Sequence, residues 1–412
     1  MISVDKALQI IVDSVEVLEP VSTPILDARG RVLAEDVISG ENIPAFDYAL
    51  MPGCVVRSCD TLGATASNPV EVIIDGELIP GQLWPSPLKP KHTLKICSGA
   101  PVPTEADSVL PEEHVVRQPN GRVLIYRPAQ PGDNIRLKGE DIGKGMLVLP
   151  KGKKLNAADI GILSVIGLTE VKCYRPPKVA FLITGSAVAE NGGPLPAGMM
   201  RSSNRYTLYS QLAEYGAEPV DLGIATHNRD DITQKVIEGL MYDMFISSVG
   251  PAQEDFTYVK KVLEKLGMDT KFWKVAIKPG KPLIFGNVGK MPVFGLSGHP
   301  FSFYVVLEQF VRPAIMKMMG MQTIKRTEVM ATLYRDVRGD DGVTAYIRGV
   351  ITINEHGFAV TPALKRTNSV RAFSTVNGFI IMPPNTGYMK AGDKVRVQIL
   401  SEPEPENQFN TN

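Results

Sequence analysis

Apolar residues in the second half of the chain fall into short continuous runs separated by stretches of helical spacing. The run Met244-Phe245-Ile246 breaks into a polar, Gly- and Pro-bearing segment over residues 247–255 and then into a helical pattern. A second run, 272–277, ends in Lys278-Pro279-Gly280-Lys281-Pro282. A third, 293–296, ends in Ser297-Gly298-His299-Pro300 and opens another helix. Upstream, the unbroken run 179–183 suits a parallel strand covered on both faces. Ser202, Ser203 and Asn204 offer caps for a helix carrying Leu208, Leu212 and Tyr215, and Gly216 stops it. The next strand is 220–224, followed by a helix led by Asn228 or Asp230 with Ile232, Val236 and Leu240. This alternation predicts an α/β sheet with right-handed crossovers. Three strand ends then deliver Gly-rich or lysine-bearing loops to one sheet edge. Ligands of open α/β sheets sit at the carboxyl ends of the strands, and free N–H groups with nearby lysines suit oxyanions.

The flanking regions have a different texture. Ser3 can cap a helix whose apolar positions Val4, Leu8, Ile11 and Val15 share one face. After Pro20 short strands and turns predominate to about residue 170, with strands expected over 70–74, 94–97 and 123–126. Beyond Gly320 strands are expected over 329–334, 343–353, 379–382 and 395–400, enough for one small barrel or sandwich. The polar, proline-bearing tail from Ser401 is expected to be disordered.

At 412 residues the chain is too long for one ordinary core. Lys+Arg and Asp+Glu both total 44, a balance that argues against a protein coating a nucleic-acid duplex. No apolar run approaches the roughly 20 residues of a membrane span. The opening residues lack the pattern of a secretory leader. Cys54, Cys59, Cys97 and Cys173 form no CxxC pair and no metal spacing. Reduced thiols and a cytoplasmic location are therefore expected.

Several motifs recur in a fixed order. Phe46-Asp47 leads into Met51-Pro52-Gly53-Cys54-Val55-Val56-Arg57. Ser98-Gly99-Ala100-Pro101-Val102-Pro103 precedes Ala106-Asp107 and Glu113, and Asn134-Ile135-Arg136 runs into Gly139-Glu140-Asp141-Ile142. Thr184-Gly185, Lys278-Pro279-Gly280-Lys281-Pro282, Gly295-Leu296-Ser297-Gly298-His299-Pro300 and Val376-Asn377-Gly378 follow. Together these resemble the molybdopterin molybdenumtransferases (MoeA and the gephyrin E domain). The resemblance implies an elongated multidomain chain, α/β plus β. Its parts would be an N-terminal helix (1–20) packed on a MogA-like doubly wound α/β domain (173–320), a β-rich linking part (21–45 and 137–172), an inserted β domain (46–136), a C-terminal β-barrel (321–402) and a tail (403–412). It further implies a homodimer with its site in a cleft between subunits. The implied reaction converts adenylylated molybdopterin and molybdate to molybdenum cofactor and AMP with Mg²⁺, and an adenylyltransferase is an implied partner.

Molybdate is a dianion and the other substrate carries a pyrophosphate, so fixed cations and amide donors are needed. Lys278 and Lys281, on a loop framed by Pro279, Gly280 and Pro282, have the right type and spacing. By the resemblance, Asp141 and Asp255 are the catalytic acids that hold the metal, which takes hard oxygen ligands. Ser98, Thr184, Gly185, Gly250, Gly280, Ser297, Gly298 and His299 are the implied binding positions, Ser98 standing where the family has threonine. The aromatic run Phe301-Ser302-Phe303-Tyr304 reads as helix core. Departures bear on mechanism: Pro52 replaces a family carboxylate, Ser186 and Ala187 replace two more, and Pro251 interrupts a glycine loop. Glu190 and Glu254 stand near enough in sequence to replace one lost acid. Two readings stay open, an enzyme of this class and a paralogue that binds the pterin without turnover as carrier, store or scaffold.

Overall fold

The computed structural model describes residues 1–185, 187–225, 229–249, 253–363 and 374–405. Its centre is a six-stranded sheet in the order Glu218–Ala225, Lys178–Thr184, Met244–Val249, Met291–Ser297, Pro282–Val288, Met268–Lys274. The first four strands are mutually parallel, and Pro282–Val288 runs antiparallel to both its neighbours. The period-two rule explains the burial of the 178–184 strand. Val179, Phe181 and Ile183 face one core with Ile11, Leu208, Leu212 and Phe310, while Ala180 and Leu182 face another with Ile232, Val236, Val259 and Leu263. Helices therefore cover both sheet faces, as the continuous apolar run required. The caps are local: Ser3 Oγ accepts from Lys6 N–H at 3.2 Å and Ser202 Oγ from Arg205 N–H at 3.3 Å.

Before this domain lie three short antiparallel pairings, 20–24 with 170–174, 37–38 with 147–149, and 48–49 with 135–136. Between the halves of the last pairing sits a second six-stranded sheet, built from strands between Gly53 and Ile125. After the α/β domain, Glu328–Leu333, Thr344–Asn354, Gly357–Pro362, Gly378–Met382 and Lys394–Ile399 close into a five-stranded barrel around Leu333, Ile351, Val360, Ile380 and Val397.

Three expectations need correction. The run 272–277 is not one strand ending in a loop. Met268–Lys274 is the outermost strand of the α/β sheet, and Ile277–Lys278 then leaves that sheet to pair in parallel with Thr344 and Ala345 of the barrel. The switch is held by backbone bonds from Ala276 N–H to Ile2 O (2.8 Å) and from Thr344 N–H to Ala276 O (2.9 Å). Lys278 therefore belongs to a barrel-sheet strand. The strand 282–288, which follows the lysine loop, completes the sheet and was not anticipated. Glu404–Pro405, expected in a disordered tail, pairs with Thr352 and Ile353 because the long barrel strand leaves an open edge there.

Two polar knots join the parts. Arg175 forks onto Asp243 at 2.5 and 2.7 Å and reaches Glu19 at 2.5 Å, tying the N-terminal segment to the α/β sheet. The Arg175 bond holds Glu19 below the usual carboxylate range. Burial pushes Asp243 upward, but Arg175 and the Lys178 N–H outweigh it and hold that carboxyl low as well. Deeper lies Glu308, in a π-helical turn over Leu307–Val311. Its carboxylate, 1% exposed, accepts from Tyr215 OH at 2.8 Å and from Arg326 at 3.0 and 3.1 Å. Burial, with the Glu308 charge beside it, drives the Tyr215 hydroxyl far above its ordinary pKa. Arg326 also donates to Leu400 O at 3.2 Å, and Gln309 donates to Gln398 at 2.6 Å, so this knot seats the barrel on the helices.

Removing one partner of a buried ion pair strands the other, so Glu308→Ala should cost ~3–5 kcal/mol in denaturant unfolding. The Arg175 knot has the opposite sign from a histidine switch. Its stability is fully present above the unfolded carboxylate pKa values and is lost as pH falls through the depressed folded ones. Acid unfolding of Arg175→Met should therefore show a flatter limb than wild type between roughly pH 5 and 2.

Candidate anion-binding site

The carboxyl edge of the α/β sheet is defined by register. Ala225, Thr184, Val249 and Ser297 lie side by side at the ends of four parallel strands. Leu283 pairs with Leu296, so the 278–281 loop enters beside Ser297 and Gly298. Gly280 has φ +111°, and a Cβ there would come within 2.7 Å of Val306 Cγ2. Only glycine lets this loop press onto the Pro300–Val306 helix. Lys281 O accepts from Val275 N–H at 3.2 Å, which closes the loop. Gly280, Lys281, Ser297, Gly298 and His299 are thus brought together, with Lys278 adjoining from the barrel side. His299 is exposed and precedes the helix in extended conformation, and its side chain makes no capping bond.

Thr184 and Gly185 reach the same edge but are used internally. Thr184 Oγ1 donates to Ser248 O at 3.4 Å, and Gly185 N–H donates to Ala225 O at 3.3 Å. Gly250, like Ser186, Pro251 and Ala252, lies outside the described residues. Asp255 is the third residue of the Gln253–Lys265 helix and does not precede it.

Ser98 and Asp141 stand apart from this edge. Ser98 Oγ donates to Leu50 O at 2.9 Å, and the exposed Asp141 is anchored through its N–H to Ile43 O at 3.1 Å. Both belong to the β-rich N-terminal parts. Among the described residues no three His, Cys, Asp or Glu side chains converge as a metal site.

Three residues at the site escaped the motif reading. Asn204, 7% exposed, donates its carboxamide to Gly298 O at 2.8 Å and approaches Ser248 Oγ at 3.4 Å. It ties the start of a helix to two strand-end loops; the sequence offered it only as a cap, which Ser202 supplies. Arg348 sits on the barrel strand three positions beyond Ala345, the partner of Lys278, with its guanidinium 4.7 Å over the Phe301 ring. Burial lowers the pKa of Arg348, whose ordinary value lies so high that it stays cationic. Arg205 binds Asp221 at 2.8 Å and also Glu190, so Glu190 is engaged and is no free substitute for a lost acid. The aromatic run behaves as expected of core: Phe303 is fully buried, and Phe301 and Tyr304 pack edge-on to Phe379. A cavity of about 470 Å³ lies elsewhere, lined by Asp5, Lys325, Thr344, Tyr346, Pro383 and Arg396, and contains none of the edge residues.

Fold and edge together define a multidomain protein, α/β plus β, whose lysines and strand-end loops share one sheet edge. The MoeA N-terminal region (domain I and II) matches residues 2–167, a probable molybdopterin binding domain matches 180–317, and the MoeA C-terminal region (domain IV) matches 330–400. The molybdopterin molybdenumtransferase of Haemophilus influenzae is 33% identical over 382 residues, spanning 90% of this chain and 92% of its own. That of Bacillus subtilis is 32% identical over 381 residues, spanning 91% and 89%. A crystal structure of a molybdopterin biosynthesis MoeA protein from Pyrococcus horikoshii superposes with a TM-score of 0.87 at 30% identity, covering 98% of this chain and 100% of that one. The chain belongs to the MoeA family of molybdopterin molybdenumtransferases.

Asn204→Leu leaves the Gly298 carbonyl without its donor and should cost ~1–3 kcal/mol. The same substitution should raise hydrogen exchange at the amides of 297–299, the readout that separates edge loosening from global loss.

Proposed function

We propose that the chain performs the molybdenum-insertion step of molybdenum cofactor biosynthesis, taking adenylylated molybdopterin and molybdate and releasing molybdenum cofactor and AMP. The placement that supports this reading is that of Lys278 and Lys281 on one short loop where the barrel meets the carboxyl edge, with Arg348 on the barrel strand that Lys278 pairs with. Cations held in place stabilise oxyanions without reorganising during the reaction. Lys278 and Lys281 would gather molybdate or phosphate oxygens, and Arg348, braced on Phe301, would add planar donors. Ser297, Gly298 and His299 would shape the wall against which the ligand lies.

A second copy of the chain is part of the proposal. Leu26, Ile38, Met146, Leu147 and Val165 are each at least half exposed, and Ile38 pairs with Leu147 across one short ladder. Burying these residues against a partner subunit would give a homodimer, in which Ser98 and Asp141 of one copy could complete the edge of the other. Mg²⁺, for which Asp141 and Asp255 are the proposed carboxylates, would neutralise phosphate oxygens. In this reading the α/β segment 173–320 carries the pterin, the inserted segment 46–136 reaches the other copy, and a cytoplasmic adenylyltransferase supplies the substrate.

A second reading, pterin binding without turnover, is favoured by the engagement of Glu190 with Arg205 alongside Pro52 and Ala187. Purified protein given adenylylated molybdopterin, molybdate and Mg²⁺ should release AMP. Release at the buffer rate with pterin still bound would select the carrier, and absence of pterin binding would remove both. Replacing Lys278 and Lys281 together with alanine should weaken oxyanion binding at least ~10-fold at low salt, with a smaller difference in high salt as screening shortens the reach of both charges.

A further inference from the structure

We propose that Asp340 is an internal counter-ion that occupies Lys278 in the ligand-free protein, so that an oxyanion seated there must displace it. This inference rests on the reading of the 278–281 loop as the oxyanion seat.

Lys278 Nζ lies 2.6 Å from Asp340 Oδ1. Both partners are framed by the barrel. Lys278 is held by its pairing with Ala345. The Asp340 loop is tied at each end to the turn after Met382, by Gly339 N–H to Gly387 O at 2.7 Å and Gly342 N–H to Asn385 Oδ1 at 2.9 Å. The carboxylate is therefore a tethered ligand with a high effective concentration at one of the two site lysines. Lys281 has no ion-pair partner among the described residues and is exposed.

The consequence is a difference in what each anion gains. A monoanion arriving at Lys278 replaces one unit charge with another, and it must do so against the repulsion of the carboxylate it displaces. A tetrahedral dianion brings two charges and several acceptor oxygens, enough to engage Lys278 and Lys281 together. Asp340 thus weakens binding of every anion, and because repulsion scales with ligand charge its carboxylate penalises a dianion more than a monoanion. Lys278 and Asp340 have side chains 61% and 39% exposed, so the effect is modest and sensitive to salt.

The test uses the full chain and equilibrium dialysis of molybdate, with and without added chloride or nitrate. Asp340→Asn should bind molybdate about two- to fivefold tighter at low salt. Chloride affinity should rise less than molybdate affinity, so that the ratio of molybdate to chloride affinity rises. Unchanged or weaker molybdate binding by Asp340→Asn, or an unchanged ratio, overturns the proposal. The Lys278→Ala, Lys281→Ala double variant keeps the two failures distinct. If it retains wild-type molybdate affinity, the oxyanion seat itself is misplaced and the functional reading falls with it. If it loses binding while Asp340→Asn behaves as wild type, only the counter-ion role fails.

Discussion

Two parallel residue pairs, Ile277 with Thr344 and Lys278 with Ala345, set the geometry on which the rest of this protein depends. They take the chain out of the α/β sheet and into the barrel sheet immediately before the lysine loop. As a result the two lysines of one short motif are presented from different structural supports. Lys278 stands on a barrel-sheet strand beside the segment carrying Arg348, while Lys281 stands where the chain returns to the α/β sheet at Pro282. A ligand bridging them would sense the relative placement of the two domains. The buried Glu308–Arg326–Tyr215 knot and the Gln309–Gln398 pair explain how that placement is kept. Hydrogen-bonded polar contacts of this kind have strict distance and angle requirements, so they specify one docking of barrel on helices more narrowly than apolar packing does.

The edge itself combines a rigid floor with selective openings. Thr184 and Asn204 bond to Ser248, Asn204 also to Gly298, and Gly185 to Ala225, in keeping with the cost of leaving buried polar groups unpaired. Lys281 and His299 are left to solvent. The residues of these motifs therefore divide by physical role: some hold the strand ends in register, and others are exposed at the edge. The division follows burial. A hydroxyl at 1% exposure, such as that of Thr184, serves the protein, and an ammonium in water can serve a ligand.

The departures from the family pattern gain meaning from the same geometry. Glu190 is held by Arg205, which also holds Asp221, so an acid near the vanished positions in sequence is committed to structure. What persists is cationic. Oxyanion capture needs charge and amide donors, whereas proton transfer or metal ligation needs acids in defined positions. Capture and chemistry are separable demands, and Lys278 and Lys281 bear on the first.

Much of this was legible beforehand. The continuous apolar run at 179–183, the capped helical spacing after Ser202 and the strand-rich ends specify an α/β centre between β-rich parts, because period and capping are local properties of a sequence. The ordered motifs carry the family. Other features needed the fold. The desertion of the α/β sheet at Ile277 follows from partners at Ile2 and Thr344, hundreds or tens of residues away, which no local pattern encodes. The tail strand at Glu404 exists because the barrel leaves an edge open. Arg348, Asn204 and Asp340 carry no motif; they matter through what packing places opposite them. Local periodicity and turn chemistry decide which elements form, and long-range pairing decides which charges meet.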